Sequence, residues 1–204
     1  GMIEECLPEG LPKKDIILID DVEAPGALLE FDSLLVGCPT WNTGADTERS
    51  GTPWDEFYYE DDKLPKISLA GKNVAVFGCG DQVGYGENYC DAAGELHDCM
   101  QKAGASMFGY VDIAKDGEYT HSGSKSDRDG RFMGMMCDQV NQADESERRV
   151  KAWIEQLKGE GFFDNEGSSS SAPAAAEAAA GAGTKAPMSS KVGIFFGTEG
   201  GATG

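Results

Sequence analysis

Lys191-Val-Gly-Ile-Phe-Phe-Gly-Thr-Glu-Gly-Gly-Ala-Thr-Gly204 is the stretch that decides the fold. Val192 to Phe196 is a short apolar run of the kind found in parallel strands covered on both faces. Gly197 to Gly204 follow with a backbone whose N–H groups can converge on a phosphate at the start of a helix. Strand, glycine-rich loop and helix start form the opening of a nucleotide-binding α/β domain, yet here they close a sequence of 204 residues. The loop lacks G-x-x-x-x-G-K-[ST], so no lysine or Mg²⁺ ligand is arranged around it, and one phosphate held without cations fits it better than a triphosphate. Taken alone, the same residues also suit a plain tight turn.

Working outward, the chain from Asp15 alternates apolar runs with amphipathic stretches, the pattern of a parallel sheet flanked by helices. Strands are expected at Ile16 to Ile19, Ser33 to Gly37, Asn73 to Gly78 and Ala105 to Val111, five in all with Val192 to Phe196. Asp91 to Lys102 aligns Ala93, Leu96, Met100 and Ala103 on one helical face and ends at Gly104, a left-handed cap. Asp144 and Glu147 read as a capping box ahead of Val150, Ile154 and Leu157, with Gly159 closing that helix. A shorter helix is expected to start at Thr52-Pro53. Lys115 to Arg131 is too long for an ordinary connection and too polar for core, and reads as an insertion in the last strand.

Composition limits the functional classes. A hydrophobic content of 40% suits one globular domain with a sizeable core. The formal charge of −19, from 36 acidic against 17 basic residues, argues against nucleic acid and anionic membrane faces and favours basic partners. Cys6, Cys38, Cys79, Cys90, Cys99 and Cys137 form no C-x-x-C pair, and His97 and His121 are the two histidines, so a zinc site is not expected and the thiols read as reduced. No apolar stretch reaches the ~20 residues needed to cross a bilayer. No membrane insertion is expected.

Three loops follow three strand ends, where open α/β sheets bind ligands. Besides the C-terminal loop, Pro39-Thr-Trp-Asn-Thr-Gly-Ala-Asp46 places Trp41 directly after a buried strand among small polar residues. Gly78-Cys-Gly-Asp-Gln-Val-Gly-Tyr-Gly-Glu-Asn88 carries Tyr85 with Asp81 and Asn88 as hydrogen-bonding groups. Either aromatic alone could be a partly buried surface residue. As a pair on neighbouring loops, beside a phosphate loop, they can clamp a flat ring.

Thr40-Trp41-Asn42, Asp81-Gln-Val-Gly-Tyr85, Ser124-Lys-Ser126 through Arg128-Asp-Gly130, and Asn141-Gln142 together resemble the long-chain flavodoxins. The resemblance covers nearly everything outside a linker. It implies a flavodoxin-like three-layer α/β sandwich, with a five-stranded parallel sheet of order 2-1-3-4-5 and FMN bound noncovalently. By that resemblance Thr198, Glu199, Gly200, Gly201, Ala202 and Thr203 form the phosphate loop, and Trp41 and Tyr85 stack on the ring. Thr40, Cys79 and Gly80 are likewise expected to bind the cofactor, while Asn42, Thr43 and Gly44 make the turn beside flavin N5. Asp81, Asn88 and Asp91 would touch ring and ribityl. Two positions depart from the pattern: Gly200, where a hydroxyl residue is usual, and Val140, where an acid is usual. Lower affinity for the phosphate is expected from these departures.

The relocated strand bears on domain organisation. Met2 to Leu7 looks like the second half of the helix that the phosphate loop should open, and Thr203-Gly204 like its beginning. Residues 1–165 are expected to form the domain body, 166–190 (EGSSSSAPAAAEAAAGAGTKAPMSS) a flexible linker of Ser, Ala, Gly and Pro, and 191–204 the first strand and phosphate loop that complete the fold. Two explanations stand: a circular permutant, or a slice of a tandem array.

The resemblance implies a low-potential one-electron carrier and not an enzyme, shuttling electrons between redox proteins with basic docking surfaces. Photosystem I, a pyruvate oxidoreductase and ferredoxin-NADP⁺ reductase are such partners. A soluble monomer is expected, in the chloroplast stroma for a photosynthetic eukaryote and in the cytoplasm otherwise. The alternatives are an FMN-dependent oxidoreductase such as a quinone reductase, against which Tyr85 over the ring argues, and a nonredox binding module that has lost the cofactor.

Overall fold

A computed structural model describes residues 1–164 and 190–198. In chain order the elements are α1 (Met2–Cys6), β1 (Lys13–Leu18), β2 (Ser33–Pro39), α2 (Trp54–Tyr59), β3 (Asn73–Cys79) and α3 (Asp91–Lys102). They continue with β4 (Ser106–Phe108), β5 (Val111–Asp112), α4 (Ile113–Asp116), β6 (Asp127–Arg128), β7 (Arg131–Phe132), β8 (Met135–Cys137), α5 (Ser146–Gly159) and β9 (Lys191–Phe196).

The main sheet is parallel and runs β1-β9-β2-β3-β4, with β8 also on β3. The last strand in sequence therefore occupies the centre, pairing Ile194 with Ile16 on one side and with Leu35 on the other. With β9 counted as the first strand, this is the expected 2-1-3-4-5 order. Central placement explains the composition: Val192, Gly193, Ile194 and Phe195 are buried, and so is every residue of β2 from Ser33 to Cys38. No alternation of polar and apolar residues is possible where helices cover both faces.

The fifth position is shared. β4 pairs with Asn73 to Ala75 and β8 with Phe77 to Cys79, and between them the chain leaves the sheet to build a small antiparallel sheet, β5-β7-β6. The expected single strand from Ala105 to Val111 is thus broken at Gly109. Its φ of +77° suits glycine, and the Trp153 indole donates to its carbonyl at 2.9 Å. A Cβ there would stand 2.6 Å from Trp153 Nε1, so close packing of α5 imposes the break.

α3 matches its expected bounds and ends at Gly104, where φ is +98°. α5 buries Val150, Trp153, Ile154 and Leu157 on its inner face. Each such side chain contributes roughly 1.5–3 kcal/mol by leaving water. The Asp144/Glu147 capping box does not form: a 3₁₀ turn over Ala143–Glu145 leads into the helix without a side-chain cap. Glu147 instead pairs with Lys151 one turn on, and Glu145 with Arg148. The shorter helix does begin after Thr52-Pro53, and the Trp54 N–H donates to Thr52 Oγ1 at 3.3 Å.

The chain leaves the described body after Asp164 and re-enters at Ser190, whose N–H donates to the Phe163 carbonyl at 3.3 Å. The linker expected at 166–190 lies outside the described residues except for Ser190. Among those residues all six cysteines are free thiols, and no helix is long and apolar enough to cross a membrane.

Candidate functional site

At the carboxyl ends of β2, β3 and β8 a cleft of about 300 Å³ opens between two loops. Pro39, Thr40, Trp41 and Thr43 line one side, and Cys79, Gly80, Asp81 and Tyr85 the other, with Gln139 and Val140 at the rim. Trp41 and Tyr85, placed together by sequence reasoning, share this cleft. They are 55% and 57% exposed, so neither side chain has a place in the core.

Each wall has its own scaffold. On the Trp41 side the Asn42 N–H donates to the Arg49 carbonyl at 3.1 Å, and its side-chain amide donates to the Glu48 carbonyl at 2.8 Å. The buried Glu95 carboxylate accepts the N–H groups of Glu48 and Arg49 at 3.1 and 3.0 Å and pairs with the Arg49 guanidinium at 3.3 Å. Gly51 stands behind the indole with φ +64°, and a Cβ on it would be 2.8 Å from Trp41 Cβ. Its N–H is held by Asp55 Oδ2 at 2.7 Å, and Asp55 Oδ1 takes the Ser50 N–H and hydroxyl at 3.1 and 2.7 Å.

Asn42 to Ala45 form a turn closed by Ala45 N–H on the Asn42 carbonyl at 3.2 Å. The left-handed residue in it is Gly44, with φ +79°. Asn42 itself is tied down by its side-chain bond to the Glu48 carbonyl.

On the Tyr85 side, Asp81 Oδ1 accepts the N–H groups of Val83 and Gly84 at 3.0 and 2.7 Å, and the Tyr85 N–H returns to the Asp81 carbonyl at 3.0 Å. These donors, Gly84 foremost, hold the Asp81 carboxyl below its ordinary value. Asp81 is ionised at neutral pH.

Asn88 and Asp91 do not line the cleft. Asp91 is buried, and its Oδ1 accepts the Lys125 N–H at 2.7 Å while Oδ2 takes the Asn88 amide at 3.2 Å, so the pair fastens the insertion to the start of α3. Thr40 does line the cleft, and its hydroxyl accepts the Ala92 N–H at 3.1 Å. Of the expected phosphate loop, Thr198 is described and exposed; Glu199, Gly200, Gly201, Ala202 and Thr203 lie outside the described residues. The strand that leads to them is anchored: the Gly37 carbonyl accepts both the Gly197 N–H at 3.1 Å and the Trp54 indole at 3.0 Å.

Several contributors were missed. Ser50, Thr52 and Asp55 buttress Gly51, and Asp138 and Gln82 join the Tyr85 loop to the loop after β8. A local signal existed for Asp81 and Asp138: each accepts N–H groups two and three residues on, the Asx-turn habit of an aspartate leading a loop. A wider depression of about 460 Å³ beside Arg49, Glu95, Asp98 and Arg128 is walled by ion pairs that already neutralise one another.

The Flavodoxin family model matches residues 3–153. The chain is 40% identical over 146 residues to a flavodoxin of Picosynechococcus sp., covering 71% of this chain and 80% of that protein. It is 36% identical over 160 residues to a flavodoxin of Synechococcus elongatus, covering 78% and 88%. Among solved structures, Fusobacterium nucleatum flavodoxin bound to flavin mononucleotide superimposes with a TM-score of 0.56 at 26% identity, over 65% of this chain and 74% of that one. The chain belongs to the flavodoxin family.

Proposed function

We propose that this chain is an electron carrier that holds FMN noncovalently in the cleft between Trp41 and Tyr85, and that it is not an enzyme. The observation that carries the reading is this pair of exposed aromatic side chains on loops from neighbouring strands, sharing one cleft at the carboxyl edge of the sheet. The residues fit the group. A flat ring system needs two apolar walls and a polar margin; Trp41 and Tyr85 supply the walls, and Thr40, Thr43, Asp81 and Gln139 the margin. The volume lies at the lower end of the ~300–1,000 Å³ usual for small-molecule sites. Bound FMN supplies the chemistry of accepting and releasing electrons singly.

The chain's own residues set the conditions. Trp41 and Tyr85 exclude water from both faces, which lowers the local dielectric and strengthens every charge nearby. Asp81 at the margin is ionised, and the whole chain carries −19, so adding negative charge in the cleft is disfavoured and the second reduction step needs a strong reductant. The Asn42 carbonyl accepts the Ala45 N–H at 3.2 Å, so reorienting the Asn42-Thr43 peptide to offer an acceptor toward the ring edge gives up that one bond. The finer assignments extend the same reading: a phosphate loop over 198–203, a linker over 166–190 that lets β9 complete the sheet of its own chain, and redox partners with basic docking surfaces, such as photosystem I and ferredoxin-NADP⁺ reductase.

Titration of the purified protein with FMN tests the reading. One equivalent should bind with quenching of flavin fluorescence, and photochemical reduction should proceed in two resolved one-electron steps. Protein that is folded by circular dichroism yet leaves FMN fluorescence unchanged would overturn it, and rapid NADPH oxidation with a quinone would move the chain to the oxidoreductases.

A further inference from the structure

We infer that Asp138 is a positioning residue of the cleft, the buried carboxylate that sets the Tyr85 wall against the Val140 rim. The inference rests on the FMN reading above and adds a residue to it. Asp138 directly follows β8 and is fully buried, so its charge has to be matched by donors. Four reach it. Oδ1 accepts the N–H groups of Val140 and Asn141 at 3.0 and 2.9 Å, and Oδ2 accepts the Gln82 N–H at 3.1 Å and the Asn141 amide at 2.8 Å.

Those contacts span two loops. The first pair shapes the β8 loop, while Gln82 belongs to the loop after β3 that carries Tyr85. The Asn141 amide bridges on to Asp81 Oδ1 at 2.8 Å, the same oxygen that caps Val83 and Gly84 ahead of Tyr85. A continuous chain of bonds therefore runs from Val140 through Asp138, Asn141 and Asp81 to Tyr85. A second route ties the loops less directly, from Gln82 to the Gln142 side chain at 2.9 Å and from there to Arg149 at 2.8 Å.

The chemistry demands a carboxylate at this position. All four partners are donors, and an ionised carboxylate is acceptor-only, whereas an amide of the same shape presents one NH₂. Whichever way such an amide were turned, its NH₂ would face two of the donors and strand them. Burial pushes the Asp138 carboxyl up, but the donors, led by Asn141, outweigh it and hold it below its ordinary value.

Asp138→Asn is the test, with Ile154→Val on the buried face of α5 as a variant that weakens the core away from the cleft. For D138N the FMN dissociation constant should rise at least tenfold, and the visible circular dichroism of bound FMN should change shape, because Tyr85 no longer holds its place beside the ring. I154V should leave both unchanged. Asn141→Ala removes the bridge alone and should show a weaker form of the same spectral change, which serves if D138N fails to fold. D138N binding FMN within twofold of the wild type with an unaltered spectrum would overturn the inference. So would an equal loss in I154V, which would reduce the effect to general stability. Wild-type protein that binds no FMN would instead overturn the FMN reading, and this inference with it.

Discussion

Gly51→Ala is the sharpest perturbation the cleft allows, because Gly51 touches no ligand yet backs the Trp41 wall. Two separate effects act on the new methyl group. At φ +64° a left-handed alanine costs about 1–2 kcal/mol over glycine, partly offset by the ~0.4–1 kcal/mol gained from a less flexible unfolded chain. The Cβ also arrives 2.8 Å from Trp41 Cβ, well inside ordinary van der Waals contact. The backbone at 51 cannot withdraw, since its N–H is held by Asp55 at 2.7 Å. Either the clash remains, at about 1–3 kcal/mol of overpacking, or Trp41 moves outward and the cleft loses its wall. The total of roughly 1–4.5 kcal/mol thus divides between apoprotein stability and FMN affinity, at tenfold in affinity for each ~1.4 kcal/mol. Urea unfolding of the apoprotein and fluorescence titration with FMN measure the two shares. Gly26→Ala, where a Cβ meets nothing within 4 Å, is the control and should be near neutral. If G51A loses neither stability nor affinity beyond the control, the placement of Gly51 behind Trp41 is wrong.

Gly44→Ala meets no atom within 4 Å but takes φ +79°, so it should lower stability by about 1 kcal/mol in urea unfolding while leaving Trp41 in place. His97 is buried between Asp98 and Tyr110, with Nδ1 at 3.2 Å from Asp98 Oδ1 and Nε2 at 3.1 Å from the Tyr110 hydroxyl. Burial lowers its pKa below the ordinary 6.5, against the pull of Asp98 and with a smaller push from Arg128. The unfolded chain then binds the proton more readily, so wild-type stability should fall as pH drops below ~6.5, and His97→Gln should flatten that slope between pH 7 and 5. Halving the 166–190 segment should leave the fold intact and stabilise it by ~0.6 kcal/mol through loop closure, since Ser190 and Phe163 already touch across its ends. Unfolding or oligomerisation of the shortened chain by sedimentation would refute that.

Much of the architecture was legible because it rests on local patterns. Buried strands announce themselves as apolar runs, and α3 was bounded correctly because Asp91 and Gly104 punctuate an uninterrupted period. The failures come from tertiary competition. The strand after Ala105 is cut by an indole forty-four residues away, and the capping box at Asp144 lost to side-chain pairs with Arg148 and Lys151. The same division holds for the cleft. Trp41 and Tyr85 were recognisable because a large aromatic beside small polar residues at a strand end has no core to enter. Asn88 and Asp91 were expected as ring and ribityl contacts by resemblance alone; that Asp91 holds the Lys125 N–H depends on the insertion, which no local pattern reveals.

One bond pattern links the exit of β9 to the Trp41 side of the proposed cofactor site. The Gly37 carbonyl closes the β2–β9 pairing and receives Gly197 from the central strand and Trp54 from the helix that follows Gly51. A Cβ on Gly197 would lie 2.3 Å from Thr52 Oγ1, so the strand exit and the Gly51 segment are packed against each other without slack. Any displacement of β9 along its axis must move Thr52 and Trp54, and through Gly51 must press on Trp41. The exit of β9 at Gly197 is thus packed through Thr52, Trp54 and Gly51 against the wall that carries Trp41. Replacing Trp54 with Phe keeps the aromatic packing but removes the indole donor, which should loosen this coupling. In Trp54→Phe, G51A should cost less FMN affinity than in the wild type; equal losses in both backgrounds, measured as a double-mutant cycle, would show that the two ends of the site are independent.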